Sequence, residues 1–432
     1  MLLTNIPLTQ QAQIAADRHN WSLVTQCLHQ LLHVGKKSRR EKQSIKGNGV
    51  QRTSPRVNGH SSEPWETCDR KFLLDLAFQV LECGDFQERW DVAKVLPSLG
   101  TEAIEPLIEL FQDEEAEVEL RWFAGQMIGQ FDCPEAIAVL IDLANRDTDE
   151  ELSLVAAEAL ANIGPNAIDG LKELLTHDSS RLVAVRALAK INRREIIDPL
   201  LTVVNDDGGL VRTTAIEALS NFEDPRIPPI LVAALSDTVA TVRREATIGL
   251  GLYSMRASAD TLPANLVELL RDRLWDLNLE VCQAAASALM RVDNESAATA
   301  LFEAIAKPTT PDPLAVTVVH RLAWMSHPSS IASLQKAIDL TLSSTVFGEI
   351  IIALGRVQEP ALKPQAADIL INLLTSNKPL RAIAQPKVKQ AIAQGLGHLG
   401  QLRAIDPLKT LLADPNETVR LHAIAALKHF DS

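Results

Sequence analysis

Apolar residues recur along this chain at three- and four-residue spacing rather than in alternation, the period of helices that bury one face. The runs Val211-Arg212-Thr213-Thr214-Ala215-Ile216-Glu217-Ala218-Leu219, Val242-Arg243-Arg244-Glu245-Ala246-Thr247-Ile248-Gly249-Leu250 and Val419-Arg420-Leu421-His422-Ala423-Ile424-Ala425-Ala426-Leu427 share the pattern V-R-x-x-A-x-x-[AG]-L. At roughly 100° per residue, the Val, both small residues and the Leu fall on one face. Small side chains there allow a close approach to the neighbouring helix. A helix of the form A-I-x-P-L-x-x-L comes before, as in Ala103-Ile104-Glu105-Pro106-Leu107-Ile108-Glu109-Leu110 and Ala404-Ile405-Asp406-Pro407-Leu408-Lys409-Thr410-Leu411.

The two helices alternate as a repeat. Its Arg position falls at Arg89, Arg121, Ser153, Arg181, Arg212, Arg243, Cys282, Thr317, Phe347, Lys389 and Arg420, with most intervals close to 31 residues. That period is one compact helix–turn–helix unit, which buries its apolar face only against its neighbours. The proline of A-I-x-P-L is tolerated in a helix's first turn and would kink the helix farther in. Gly100, Gly164 and Gly400 stand where second helices should end, as C-terminal caps. Asp206–Arg212, Asp237–Arg243 and Asp414–Arg420 share a spacing of six across the inter-helix turn, as expected of structural side chains that tie adjacent units together.

The N-terminal part is patterned differently. Residues 1–35 predict a helical hairpin, Gln11–Asp17 and Trp21–Val34, turning at His19-Asn20. Residues 36–64 are rich in charge, Ser, Gly and Asn, the composition of a disordered linker. The solenoid occupies 65–432, with 70–99, broken at Gly84-Asp85, as its capping repeat.

Charge sharpens this division. The net charge is −13, yet Lys36, Lys37, Arg39, Arg40, Lys42, Lys46, Arg52 and Arg56 face only Glu41 within 36–62, so 63–432 is strongly acidic. An acidic body does not wrap nucleic acid, whose phosphates need clustered Lys and Arg. Cys27, Cys68, Cys83, Cys133 and Cys282 are scattered and never form CxxC, which predicts a reducing, cytoplasmic setting without a disulfide framework or metal knuckle. The segment MLLTNIPLTQ lacks the basic region and apolar core of a signal peptide, and the apolar runs are too short for a membrane span.

The repeat resembles the HEAT family, specifically the short HEAT-like repeats of phycobilin lyases of the heterodimeric E/F type, over roughly 86–432. The resemblance implies an all-α, right-handed α-solenoid, a HEAT-like superhelix of about ten helix–turn–helix repeats with second helices lining the concave side. It also implies a possible phycobiliprotein or bilin partner, as at a phycobilisome. Related repeats occur in scaffolds, assembly chaperones and the iron-dependent deoxyhypusine hydroxylase. The hydroxylase's iron-binding His-Glu pairs have no counterpart, because none of the ten histidines here is followed by Glu. No G-x-S-x-G elbow, phosphate loop or HExxH pattern marks a catalytic or metal site.

The residue directly after the Arg position lies opposite the buried face. It is Trp90, Trp122, Leu154 and Leu182 in the first four units, then Thr213, Arg244 and Gln283. Small residues flank it, at Ala93, Gly125 and Ala157, then Pro97, Gly129 and Ala161. An apolar ridge of this kind, with Trp as anchor, suits a partner groove around Trp90, Trp122, Leu154, Leu182, Arg121 and Gly125. Alternatively, the N-terminal hairpin or a loop covers it. The expected function is a non-catalytic protein-binding scaffold or assembly chaperone without a cofactor. The alternative is a phycobilin lyase or lyase-like factor, for which an aromatic-lined groove suits a flat tetrapyrrole.

Overall fold

A computed structural model describes residues 6–32, 70–145, 150–256, 262–340, 343–375 and 385–430. The expected linker 36–64 lies outside the described residues. The fold is an all-α solenoid of stacked helical hairpins, and no strand occurs among the described residues. The chain divides into two compact units, Met1–Thr202 and Val203–Ser432.

The first unit opens with helices Leu8–Asp17 and 21–32, which reverse at His19, a left-handed residue with φ 54°. Ala12, Ala15, Ala16, Val24 and Leu28 are buried in this hairpin, and its first helix packs on Arg70–Cys83. Arg70–Cys83 pairs with Phe86–Ala93 as the next hairpin. Its break at Gly84-Asp85 is a capping box: Asp85 accepts from the Glu88 backbone N–H, and the Glu88 carboxylate accepts from the Asp85 N–H. Three hairpins follow, Ile104–Gln112 with Val118–Ile128, Pro134–Ala144 with Glu150–Ile163, and Ile168–Leu174 with Asp178–Ile191. The second unit holds Gly209–Leu219 and six hairpins, the last being Ile405–Leu411 with Glu417–Lys428.

The motif proline sits in the first turn. A 3-10 turn at Thr101–Ala103, Arg194–Ile196 or Leu402–Ala404 leads into a helix whose third residue is Pro106, Pro199 or Pro407. The missing N–H at that position would have been unpaired within the helix, so no kink arises. Gly100, Gly164 and Gly400 take the expected positive φ, at 111°, 88° and 66°.

The Arg position has a simple local meaning: it is the fourth residue of a second helix, from Arg89 in Phe86–Ala93 to Arg420 in Glu417–Lys428. The expectation at Thr317 is corrected. Asp312–Trp324 buries Leu314, Ala315, Val318 and Leu322, while Trp324 is 72% exposed, so Ala315 holds the repeat position. The shift evens the spacing around it to 33 and 32 residues. Without the Val-Arg pair, the motif offered no anchor there.

The Asp–Arg ladder runs one step differently from the spacing of six. Arg212 donates from Nη1 to the Asp206 carbonyl at 2.7 Å, while its Nε and Nη2 fork onto the Asp237 carboxylate at 2.8 and 2.7 Å. Arg243 repeats this with the Asp237 carbonyl and the Asp276 carboxylate. Each carboxylate also accepts the N–H two residues on, from Val239 or Asn278, which shapes the turn. Arginine therefore holds the backbone of its own turn and the aspartate of the next unit. Lys389 reaches Asp414 in the same way.

Successive second helices approach most closely eight residues past the Arg position. Gly129, Gly251 and Gly397 face the backbone of Ala159, Ala288 and Ala426, and a Cβ on Gly129 would lie 2.7 Å from the Ala159 Cα. The small residues thus let adjacent hairpins stack.

Candidate partner-binding surface

The second helices of the first unit carry their outward residues on the side away from the first helices. In Phe86–Ala93, Phe86 and Trp90 are one turn apart, and they are 58% and 43% exposed. In Val118–Ile128, Val118 and Trp122 repeat that pair, with Val118 61% exposed and Trp122 half-buried. Leu154, 42% exposed, and the half-buried Leu182 continue the row on the next two second helices.

Phe123 joins the first two pairs. It is fully buried, and its ring centroid lies 5.4 Å from Phe86, 6.3 Å from Trp90 and 5.2 Å from Trp122. These tilted and edge-to-face contacts fix the orientation of rings that water still reaches. Trp90 and Trp122 are therefore held together through the ring that follows Trp122. Trp90 keeps 43% of its surface exposed, and the first helix of the N-terminal hairpin packs on Arg70–Cys83.

The other two expected site residues are structural. Arg121 is half-buried and donates from Nε to the Phe111 carbonyl at 3.2 Å, fastening the loop before its own helix. Gly125 is buried, and an added Cβ would meet Val155 at 2.6 Å and Phe111 at 2.8 Å. Ala93, Ala157 and Ala161 are also buried, so the small residues form the joints between helices and not an open floor.

Acidic groups rim the ridge. Arg89, only 8% exposed, crosses to Glu117 at 3.2 Å and Glu119 at 3.6 Å, whose carboxylates remain largely in solvent. Lys94 lies 5.7 Å from the Trp90 ring centre and 2.8 Å from Asp91. Hydrogen bonds from Lys94 and Gln87 hold the Asp91 carboxyl below the usual carboxylate range.

Sequence reasoning missed Phe86, Val118 and Phe123. The first two stand three residues before the Arg position, one turn from the tryptophans, and that i,i+4 pairing was readable. Phe123 stands two residues after Arg121, a position that points back at the preceding unit; its size there was the available signal.

Residues 104–185, 178–251 and 378–432 match the family of HEAT repeats, so the chain carries HEAT repeats in both units. A search of curated proteins finds no match. Similar solved structures include an engineered protein, 22% identical over 76% of this chain and 99% of that one, with a TM-score of 0.38. Human deoxyhypusine hydroxylase in complex with glycerol is 20% identical, over 76% of this chain and 96% of that one, with a TM-score of 0.26. A mutant of Kap121p is 14% identical, over 83% of this chain and 49% of that one, with a TM-score of 0.47.

Proposed function

We propose that this chain is a non-catalytic protein-binding scaffold or assembly chaperone whose partner docks on the second-helix face of the first repeats. The exposed row Phe86, Trp90, Val118 and Trp122, set on the buried Phe123, carries this reading. Aromatic anchors with restricted rotamers bury much area at low entropic cost, and a few of them dominate a typical interface. The carboxylates of Glu117, Glu119 and Asp91 around them suit a partner segment that combines apolar and basic residues. Leu154 and Leu182 extend the contact, while Arg121 and Gly125 seat the Trp122 helix against Phe111 and Val155. No described helix is long and apolar enough to cross a membrane.

Affinity capture from native lysate, run in parallel with wild type and the Trp90→Ala/Trp122→Ala double variant, tests the assignment. The proposal expects proteins retained by wild type and lost with the variant. An identical set from both would sink it.

The second reading, a phycobilin lyase or lyase-like factor, rests on the repeat signature and on the partly exposed aromatic rings of Trp90 and Trp122, to which a tetrapyrrole could bind. Mixing the protein with free bilin decides it. A sharpened, shifted visible spectrum that disappears in the double variant supports the reading, and an unchanged spectrum removes it.

A further inference from the structure

The acidic excess of the chain reverses in its last two repeats. Between Pro386 and Phe430 there are six Lys and Arg against three Asp and Glu. Most of those cations are committed: Lys389 to Asp414, Arg403 to Asp368, Lys409 to Asp406, and Arg420 to the carbonyls of Asp414 and Pro415. Lys387 has no ion-pair partner among the described residues, and neither does Arg356 one repeat earlier. Both line the same cavity of about 180 Å³ on the second-helix side of these repeats.

Two glycines from neighbouring second helices line the cavity. Gly355, at the end of Ser344–Leu354, and Gly395, within Pro386–Leu399, approach so closely that a Cβ on Gly395 would lie 2.8 Å from the Gly355 Cα. No side chain fills the floor between them. Along Pro386–Leu399 the cavity is lined by Lys387, Gln390, Gln394 and His398, which recur at helical spacing as one strip of polar side chains. At about 1.5 Å per residue the strip is about 16 Å long. Arg356 flanks it on one side and His422 on the other, and no carboxylate lines the cavity.

Several of these groups are held in place. Gln390 donates its amide to the Thr418 hydroxyl, and the His422 Nδ1 lies 2.8 Å from the Thr418 carbonyl oxygen. The Thr418 carbonyl thus fixes the imidazole and leaves Nε2 as its free edge. Lys387, the second residue of its helix, stands where the helix dipole opposes a positive charge, so an anion there would be favoured twice.

We propose that this strip binds a short acidic peptide segment, with Arg356 and Lys387 meeting its carboxylates and Gln390 and Gln394 its backbone amides. The length of the strip suits an extended chain better than a single ion. Two free cations are too few for a nucleic acid, whose proteins commonly neutralise on the order of six to ten phosphates. The site is independent of the aromatic ridge and stands or falls without it.

The test is fluorescence anisotropy of a fluorescein-labelled hexaglutamate peptide titrated with the full chain. Saturable binding that weakens as salt rises is expected. The Arg356→Glu/Lys387→Glu variant should bind about tenfold more weakly or worse, in line with the loss of two charge contacts. Lys172→Glu/Lys190→Glu, the same charge change in the other unit, should bind within about twofold of wild type. If charge reversal prevents folding, as a thermal melt would reveal, Arg356→Gln/Lys387→Gln must show the weakening instead. Absence of saturable binding, or equal weakening by both pairs, overturns the proposal. So does displacement of the peptide by inorganic phosphate or a single-stranded oligonucleotide at lower concentration than unlabelled hexaglutamate.

Discussion

Arg243 grips Asp276 with two parallel hydrogen bonds, Nε to Oδ2 at 2.8 Å and Nη2 to Oδ1 at 2.7 Å. The side chains are 14% and 5% exposed, so both charges have left most of their water. Removing one partner from a buried pair strands the other charge, at a cost of about 3–5 kcal/mol, whereas replacing both with apolar groups is often neutral. Asp276→Ala should therefore lose stability on that scale, and Arg243→Met/Asp276→Leu should recover most of it. Urea unfolding followed by circular dichroism makes the comparison; equal losses in the two variants would show that the ladder does not work as a pair.

The same ladder predicts acid sensitivity. The hydrogen bonds from Arg212 and Arg243 hold the carboxyls of Asp237 and Asp276 below the ordinary aspartate range. A depressed folded-state value gives stability that is complete above the unfolded value, roughly pH 4, and is lost as pH falls through the folded one. Wild type should thus destabilise steadily below about pH 4. Asp237→Asn/Asp276→Asn, less stable at neutrality, should show a smaller drop over the same window in melting experiments. Parallel pH profiles would contradict the assignment.

Glycines at different places should respond with opposite signs. A Cβ at Gly129 meets the Ala159 backbone, which cannot yield without moving a helix, so Gly129→Ala should cost about 1–3 kcal/mol. Gly348 lies inside Ser344–Leu354 with open space around it, and Gly348→Ala should stabilise by roughly 0.5–1 kcal/mol. Thermal melts of the two variants would rise or fall accordingly.

Phe123 and Phe86 separate support from contact. Phe123 is fully buried, and Phe123→Ala should cost about 3–5 kcal/mol and also loosen the rings it holds. Phe86 is 58% exposed, so Phe86→Ala should change stability by less than about 1 kcal/mol while weakening partner binding. A stability loss as large for Phe86 as for Phe123 would mean that Phe86 belongs to the core.

Much of this organisation was legible because the repeat is written in short-range chemistry. The Val-Arg pair at residues three and four of a second helix, the proline three residues into a first helix, and the capping glycines each act within one turn, where sequence spacing equals geometry. Where the pair is missing, at Asp312–Trp324, the register slipped by two residues. The ladder's true pairing was also beyond spacing alone. The carboxylate that Arg212 meets is 25 residues away, and a closer aspartate, Asp206, offers its carbonyl instead. At the surface, the position after the Arg placed Trp90, Trp122, Leu154 and Leu182 in equivalent places on successive second helices, each at least partly exposed. The role of Gly125 depends on the helix across from it, which carries Val155 and is set by packing between repeats, whereas Arg121 binds the Phe111 carbonyl of its own repeat.

The central claim is that the exposed aromatic row is the docking surface. Isothermal titration of the partner recovered by capture, against wild type and Trp90→Ala/Trp122→Ala, tests it most directly. Each tryptophan acting as an anchor contributes about 2 kcal/mol or more, so the double variant, still folded though with a somewhat lower melting point, should bind at least about a hundredfold more weakly. An affinity within about twofold of wild type, on a variant that remains folded, would contradict the account.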